Sequence, residues 1–477
     1  MILALTTQIV GIILILIALP LLSIVGIVLI RTAFSQNKKI KILNREIKNP
    51  EKANQCKEDF AKIFYEQADI QSSNYANSVR SLEPINANKA NEFYHALMKN
   101  YITIHKDFTY RRLDKGCIYE RHIKNKKSVL FVIDVKDFAQ EKNVHMTEKH
   151  IYGADTYNGK ASVFCLFEIL EKLLKENKLN IGVTVVIKIG SMPLKVLIDE
   201  KQQARFDLIL VNGGGIFSPI TTGLRSHYAF IGTTTTKRIR IRFSINNVSM
   251  SYDKIDKFYN ELNSTELCST KYSKKMNKLF NAVGKDMLYV KRMMYTHPLL
   301  FSSVLGQVVK EDLITTSASN IAEDISVALQ TKMQCSEIKE NKDQYCFDAE
   351  FNMALHQTEE QLLEKISKIS KKYNINYAVT YRQEAVQMDY KGKWYEKLAK
   401  TIVEAAQSVY TSPYVISNSL DVNELKQLGD NIFWFSPLYY SSDALALRNT
   451  ENERVNVRSL LTAIDFYELL LFNLMED

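Results

Sequence analysis

The sequence predicts an α/β fold with a mostly parallel central sheet. Short, nearly continuous apolar runs at residues 129–134, 184–189 and 207–211 are typical of buried strands. Between the first two runs, residues 161–175 place their apolar side chains at the spacing of an amphipathic helix. Strands that alternate with a helix in this order predict parallel β/α units.

The ends of these strands are where a ligand site is expected. In an open parallel sheet, ligands bind in the crevice beyond the carboxyl ends of the strands. Asp134 ends the first strand, Ser191 follows the second, and Asn212 follows the third and opens a turn that contains three glycines. We therefore expect Asp134, Ser191 and Asn212 to line the cleft.

Composition limits the classes of function. The 477 residues leave room for two or three domains, and 46% hydrophobic residues with only 8 prolines indicate ordered, well-packed structure. The excess of 62 basic over 53 acidic residues is small for this length, and no basic stripe interleaved with aromatics occurs in the globular part. We therefore expect no nucleic-acid partner.

The cysteines point away from a zinc ribbon or a thioredoxin-type site. The 6 cysteines are scattered without a CxxC pair, which indicates buried, reduced thiols. A disulfide between Cys335 and Cys346 stays open as an alternative for an exported domain.

The amino-terminal segment predicts a membrane anchor. In residues 9–30, Ser23 has the only hydrogen-bonding side chain, and at about 1.5 Å per residue the run matches the ~30 Å hydrocarbon core of a bilayer. A signal peptide cleaved near Ala33-Phe34-Ser35 is the alternative, which the length of the run and the absence of a preceding positive charge disfavour. Basic residues between Arg31 and Lys48 follow the run, so the positive-inside rule predicts a single-pass protein with a cytoplasmic domain.

The order of the later patterns predicts an inserted domain. After the glycine turn, strands and helices occur in separate runs, and regular alternation resumes from about residue 376. The predicted parts are a transmembrane anchor (1–31), a basic helical stalk or arm (32–84), an α/β domain built from two segments (85–232 and 384–477) and an α+β lid (233–383).

The landmarks of the α/β domain resemble those of the M20 metallopeptidases, in particular the branch of carboxypeptidase S and the N-acyl-amino-acid hydrolases. The first strand of that family ends in His-x-Asp-Val, where this chain has Val132-Ile133-Asp134-Val135. A family Tyr-Gly-Arg-Gly…Asp-x-Lys turn is similar to Tyr152-Gly153-Ala154-Asp155…Asn158-Gly159-Lys160. The family's Asp-Glu-Gly-Gly is similar to Asn212-Gly213-Gly214-Gly215. Its His-Gly-x-Asn-Glu-Arg motif resembles the segment from Asn449 to Arg454.

The resemblance implies a site with two zinc ions, and the chain departs from the family at the positions that would bind them. The family uses histidines and carboxylates as ligands, which are good zinc donors. The matching positions here are Val132, Asn158, Asn212 and Asn449, with one further ligand position near Pro193 or Leu194. A valine has no donor atom, and an amide is a poor substitute for a carboxylate.

The catalytic carboxylates are also replaced. Where the family has a Glu–Glu pair after the second strand, this chain has Ser191-Met192-Pro193-Leu194. Asp134, which orients a zinc-binding histidine in the family, is retained, and we expect it to act as a hydrogen-bonding cap at the end of the strand. The resemblance therefore implies the fold without a catalytic residue and without a cofactor.

A replacement metal site is a separate hypothesis. His145, Glu148, His150 and Asp155 lie close in sequence and have the side chains that bind metals. Solvated loop residues are the other interpretation of the same pattern.

Two functions from different classes follow. The first is a membrane-anchored, catalytically inactive M20 homologue that binds a peptide, an acyl-amino acid or a protein partner in the old cleft. The alternative is an active amidohydrolase or carboxypeptidase that binds zinc through other residues. The resemblance also implies a homodimer through the lid, although the family's lid Gly-His-Ser-Ser motif is replaced by Asn247-Val248-Ser249-Met250.

Overall fold

The structure is a computed structural model. It describes residues 22–35, 50–65, 87–113, 116–135, 145–147, 149–153, 156–189, 194, 205–219, 224–246, 251–314, 319–341, 344–417, 421–447, 450 and 452–476.

Strands and helices occur in separate runs up to residue 352 and alternate more regularly from residue 359 onward. The strands are β1 (Thr109–Leu113), β2 (Gly116–Arg121), β3 (Ser128–Val135), β4 (His145–Met146), β5 (His150–Tyr152), β6 (Gly182–Ile189), β7 (Leu208–Val211), β8 (Gly215–Phe217), β9 (His227–Thr235), β10 (Arg238–Asn246), β11 (Lys332–Cys335), β12 (Lys339–Asn341), β13 (Gln344–Asn352), β14 (Asn376–Gln383), β15 (Val409–Ile416), β16 (Ile432–Trp434), β17 (Tyr439–Tyr440) and β18 (Arg454–Asn456). The helices are α1 (22–34), α2 (Pro50–Tyr65), α3 (Ala87–Asn100), α4 (Ile102–Asp107), α5 (Ala161–Lys175), α6 (Ser251–Ser264), α7 (Asn277–Gly284), α8 (Tyr289–Thr296), α9 (Ser302–Val309), α10 (Ser319–Leu329), α11 (Glu359–Tyr373), α12 (Lys393–Ala406), α13 (Val422–Leu428), α14 (Ser442–Ala446) and α15 (Val457–Met475).

A large sheet forms the centre of the α/β part. Its strand order is β1-β2-β6-β3-β7-β16-β9-β8-β17, and β15 pairs with β9. Strands β6, β3, β7 and β16 are parallel neighbours, and Val132 of β3 lies in register with Val186 of β6 and Val211 of β7. Every residue of β6 and β7 is buried, as expected for parallel strands that are covered on both faces. The carboxyl ends of these strands therefore meet at one edge.

The sheet is mixed rather than mostly parallel, which corrects the sequence prediction. β2 pairs antiparallel with β6, and β9 pairs antiparallel with β16 and β8. Strands β2 and β9 are apolar over much of their length, and apolar composition does not determine the direction in which a strand runs.

A second, smaller sheet has its own hydrophobic cluster. Strands β11, β13, β10 and β14 pair in that order, with β12 beside β13. Phe243, Phe258 and Phe347 form the centre of this cluster, to which α6 and α11 also contribute. The intervening helices α7 to α10 pack instead into the main core through residues such as Phe280 and Ile325. The predicted domain boundaries stay predictions.

The predicted membrane anchor is corrected. No helix in the described ranges combines the length and the apolar composition needed to cross a bilayer. The transmembrane helix expected at residues 9–30, and the single-pass membrane location inferred from it, are therefore not supported. Residues 9–21 of that run lie outside the described residues, and residues 22–30 belong to α1. The hydroxyl of Tyr289 in α8 donates a hydrogen bond to the carbonyl of Leu29.

The turn after β7 depends on glycine for a steric reason. Gly214 has φ +57°, and a Cβ atom there would lie 2.1 Å from the carbonyl oxygen of Phe230. Gly215 has φ +134°, and its Cβ would lie 2.2 Å from the ring of Tyr440. Backbone atoms of β9 cannot move away without breaking the pairing between β8 and β9, so the chain can make this turn only without side chains.

We expect Gly214→Ala to lower the free energy of unfolding by about 3 kcal/mol, since it combines a left-handed backbone with an overlap against β9. Gly26→Ala is the control, because nothing lies within 4 Å of a Cβ at that position in α1. Urea unfolding of both variants tests this. A loss below about 1 kcal/mol for Gly214→Ala would show that the turn is not constrained by its contact with Phe230.

Candidate functional site

Four residues of interest for a ligand site lie together at the carboxyl ends of β3, β6 and β7. Val132 and Asp134 lie in β3, Lys188 lies in β6, and Asn212 follows β7. The backbone N–H of Asn212 donates a hydrogen bond to the carbonyl of Val132 at 3.0 Å, which continues the β3–β7 ladder past the end of β7. These residues therefore lie at the edge of the sheet where the sequence predicted a ligand site.

A lysine ammonium lies between two carboxylates at this edge. The Lys188 side chain is 4% exposed, and its Nζ lies 2.5 Å from Oδ2 of Asp421 and 3.4 Å from Oδ1 of Asp134. Asp421 directly precedes α13, and its other oxygen, Oδ1, accepts a hydrogen bond from the backbone N–H of Leu194 at 3.3 Å. A buried ammonium requires such partners, because an unpaired charge in a protein interior is strongly unfavourable.

The pKa values of Lys188 and Asp134 are both shifted in this environment. Burial lowers the pKa of Lys188, but the carboxylates of Asp134 and Asp421 outweigh burial, so its pKa is raised and it carries its proton at neutral pH. Loss of solvent around Asp134 raises the pKa of that carboxyl, and the Lys188 ammonium opposes this rise. Asp134 remains the more accessible carboxylate, with its side chain 49% exposed against 13% for Asp421.

A small cavity of about 70 Å³ opens at the triad. Its lining includes Val132, Asp134, Asn212, Asp421 and Trp434. The volume is well below the ~300–1,000 Å³ of typical small-molecule pockets. It has room for one small chemical group.

The predicted site residues fall into three groups. Val132, Asp134 and Asn212 come together at the cavity. The backbone of Asn158 lies in a π-helical turn, Thr156–Lys160, directly before α5. Ser191 and Asn449 lie outside the described residues.

Sequence reasoning missed Lys188 and Asp421. Lys188 could have been found, because it is the only charged residue in a strand whose neighbours are apolar, and a buried charge predicts a partner. Asp421 gave no comparable signal, since it is 233 residues away in sequence and follows no motif.

The hypothesis of a replacement metal site receives no support from the described ranges. His145 and His150 lie on the paired strands β4 and β5, and Nε2 of His150 lies 3.3 Å from the side-chain amide of Asn456. Glu148 and Asp155 lie outside the described residues. Within the described part of the chain, no three histidine, cysteine, aspartate or glutamate side chains are grouped closely enough to bind a metal ion.

The described residues of the triad also do not fit zinc. Val132 has no donor atom at the position where the resemblance implies a histidine. The carboxylates that could bind a cation already face the ammonium of Lys188. A Zn²⁺ ion bound at about 2.0–2.2 Å from those oxygens would lie against a positive charge.

Comparisons with known proteins agree on the fold. No protein-family model matches the chain. The Dictyostelium discoideum protein named probable carboxypeptidase S-like 2 is 20% identical over 360 residues. The match covers 69% of this chain and 66% of the relative, just under two thirds of its length.

Three solved structures share the architecture at low sequence identity. Human carnosine dipeptidase 1 has a TM-score of 0.56 with 11% identity, over 90% of this chain and 98% of that chain. A dipeptidase of Saccharomyces cerevisiae has a TM-score of 0.58 with 8% identity, over 90% and 98%. An M20 family metallo-carboxypeptidase of Sulfolobus solfataricus has a TM-score of 0.53 with 14% identity, over 83% and 97%. This chain has the M20 metallopeptidase fold. The family resemblance expected from the sequence is confirmed at this level.

We expect Lys188→Met to lower the free energy of unfolding by about 3 kcal/mol at pH 7, because it leaves two neighbouring carboxylates without their cation. The folded-state pKa of Lys188 is raised above its ordinary value of 10.5, so its stabilisation is present below pH 10.5 and is lost as the pH rises through the folded-state pKa. The deficit of the variant should therefore be largest near neutral pH and shrink above pH 10.5. It should also shrink toward pH 4, because the pKa of Asp134 is raised and its carboxyl takes up a proton as the pH falls.

Urea unfolding at pH 4, 7 and 11 measures this dependence. Lys368→Met is the matched control, since that lysine is 72% exposed in a surface pair with Glu364 and should contribute less than about 0.5 kcal/mol. Equal effects of the two substitutions at pH 7 would show that the triad does not stabilise the fold.

Proposed function

We propose that this M20-fold chain does not hydrolyse peptides by a zinc mechanism and instead acts as a binding or scaffolding protein. The observation that carries the proposal is the Lys188 ammonium, which is paired with Asp134 and Asp421 at the edge where the fold has its cleft. The replacement of the expected zinc ligand at Val132 supports the same conclusion.

The chemistry of an ammonium differs from that of a metal ion. Catalytic zinc polarises the scissile carbonyl and lowers the pKa of a bound water to generate a nucleophile. A lysine ammonium has three N–H donors and no open coordination position, and here it faces two carboxylates. It can neutralise those carboxylates, but it cannot activate water as a metal does.

The charges of the pocket favour a ligand with hydrogen-bond donors. One ammonium between two carboxylates leaves a net charge of about −1, and Asp134 is the more accessible carboxylate. Asn212 adds a neutral amide at the cavity wall. A peptide or an acyl-amino acid with an amide N–H, or a protein partner that inserts one such group, fits these features.

We expect the full chain to retain less than about a tenth of an equivalent of zinc after incubation with the ion and removal of the excess, because a site without its ligands loses most of its binding energy. Elemental analysis measures the metal, and the same sample is assayed for cleavage of a dipeptide and of an N-acetyl amino acid. No cleavage above the buffer rate is expected.

The control is the double variant Val132→His with Lys188→Ala, which gives an imidazole and two uncompensated carboxylates at the same place. It should retain more zinc than the native chain, which shows that the assay detects binding at this edge. One or two equivalents of zinc on the native chain, with dipeptide cleavage, would contradict the proposal and favour an active amidohydrolase.

A homodimer through the lid is part of the proposal. Strand β14 lies at the end of the order of the smaller sheet, and most of its residues are exposed. An edge strand has free backbone donors and acceptors that a second copy can pair with across a two-fold axis.

We expect a molar mass of two chains by light scattering. Ala378→Lys should shift it toward one chain, because the two copies would place like charges opposite each other on β14. Ser303→Lys, on an exposed part of α9 outside the smaller sheet, is the control and should leave the mass unchanged. A native mass of one chain would contradict this part of the proposal.

A further inference from the structure

A well-formed cavity lies away from the Lys188 triad. Its volume is about 320 Å³, and its walls come from β5, β18, the amino end of β9, β17 and the amino end of α15. It shares no lining residue with the small cavity at the triad. The volume is within the range of small-molecule sites.

The charged side chains that line this cavity are arginines. Arg454 and Arg458 both contribute to the wall, and no aspartate or glutamate is among the described lining residues. Arg454 is partly compensated, since its Nη2 lies 3.3 Å from Oδ2 of Asp443, which is 70% exposed. Arg458 has no carboxylate partner among the described residues, and its guanidinium lies 6.0 Å from the centre of the Tyr439 ring. The cavity therefore has an excess of positive charge.

The positive charge of the arginines also lowers the pKa values of two histidines in the wall. Burial, and then the charge of Arg458, lowers the pKa of His227. Burial, followed by the charges of Arg454 and Lys149, lowers the pKa of His150, and Asp443 opposes this. Both imidazoles are thus mostly neutral at pH 7, and each retains a nitrogen that can donate a hydrogen bond.

The aromatic part of the wall is held in position by hydrogen bonds and ring contacts. The hydroxyl of Tyr439 donates a hydrogen bond to the carbonyl of Ala406 at 2.7 Å, so its ring is held as a rigid surface. His227 packs edge-on against that ring at 5.9 Å. The side-chain oxygen of Asn456 caps α15 by accepting the backbone N–H of Arg458 at 2.9 Å, which fixes the backbone from which Arg458 extends. These contacts give a preorganised pocket with an apolar surface and a cationic wall.

We propose that this cavity binds a small organic anion, whose carboxylate or phosphate group pairs with Arg458 and Arg454 and whose carbon skeleton packs against Tyr439. Guanidinium groups bind both anions through paired N–H donors, which is why the two share one recognition chemistry. The proposal does not depend on the function proposed for the Lys188 triad.

The test is isothermal titration calorimetry, which measures the affinity of the full chain for benzoate, phenyl phosphate and inorganic phosphate at constant ionic strength. Saturable binding of at least one organic anion is expected, and Arg458→Gln should weaken it at least tenfold. Arg458→Lys keeps the charge but loses the planar set of donors, so it should weaken binding less than Arg458→Gln. Arg205→Gln is the control, because Arg205 is an exposed arginine paired with Asp430 at the amino end of β7.

The probes distinguish a carboxylate-binding site from a phosphate-binding site. Binding of benzoate alone assigns a carboxylate site, and binding of phenyl phosphate alone assigns a phosphate site. The titration measures neither zinc binding nor peptide cleavage, so a failure of the function proposed for the triad would not affect this result. No saturable binding of any organic probe up to about 10 mM overturns the proposal. Equal affinities for Arg458→Gln and Arg205→Gln, with both variants folded by circular dichroism, also overturn it.

Discussion

The burial of one ammonium at the carboxyl edge of the sheet determines how the candidate site is organised. Lys188 is 4% exposed, and a charge in that environment must be matched by opposite charge nearby. Asp134 at the end of β3 and Asp421 before α13 provide that match, so one ion-pair network joins β6, β3 and a segment from the second half of the α/β part. The same network holds Leu194 through the second oxygen of Asp421.

The packing of this fold does not depend on the metal chemistry that the same fold supports in metallopeptidases. The core depends on apolar strands and on helices α5 and α15, none of which requires a metal ion. The ligands of a metal occupy only a few positions at the strand ends, and those positions can change while the core remains packed. A lysine that pairs with two carboxylates offsets part of their mutual repulsion, as a metal ion would.

Local patterns in the sequence were enough to predict the elements that carry a periodic signal. Helix α5, for example, has the predicted bounds Ala161–Lys175. The direction of β9 and the pairing of Lys188 with Asp421 depend on tertiary contacts between residues far apart in sequence, which periodicity does not encode. The predicted membrane anchor was wrong, since no helix in the described residues is long and apolar enough to cross a bilayer.

The proposed loss of zinc binding depends on the pairing of Lys188 with Asp134 and Asp421. The most direct measurement is an anomalous difference map at the zinc absorption edge, from crystals grown with excess zinc near neutral pH. We expect no peak between the two carboxylates. We also expect the Nζ of Lys188 to lie within hydrogen-bonding distance of Asp421. A peak at about 2.0–2.2 Å from an oxygen of either aspartate, with Lys188 displaced, would contradict it.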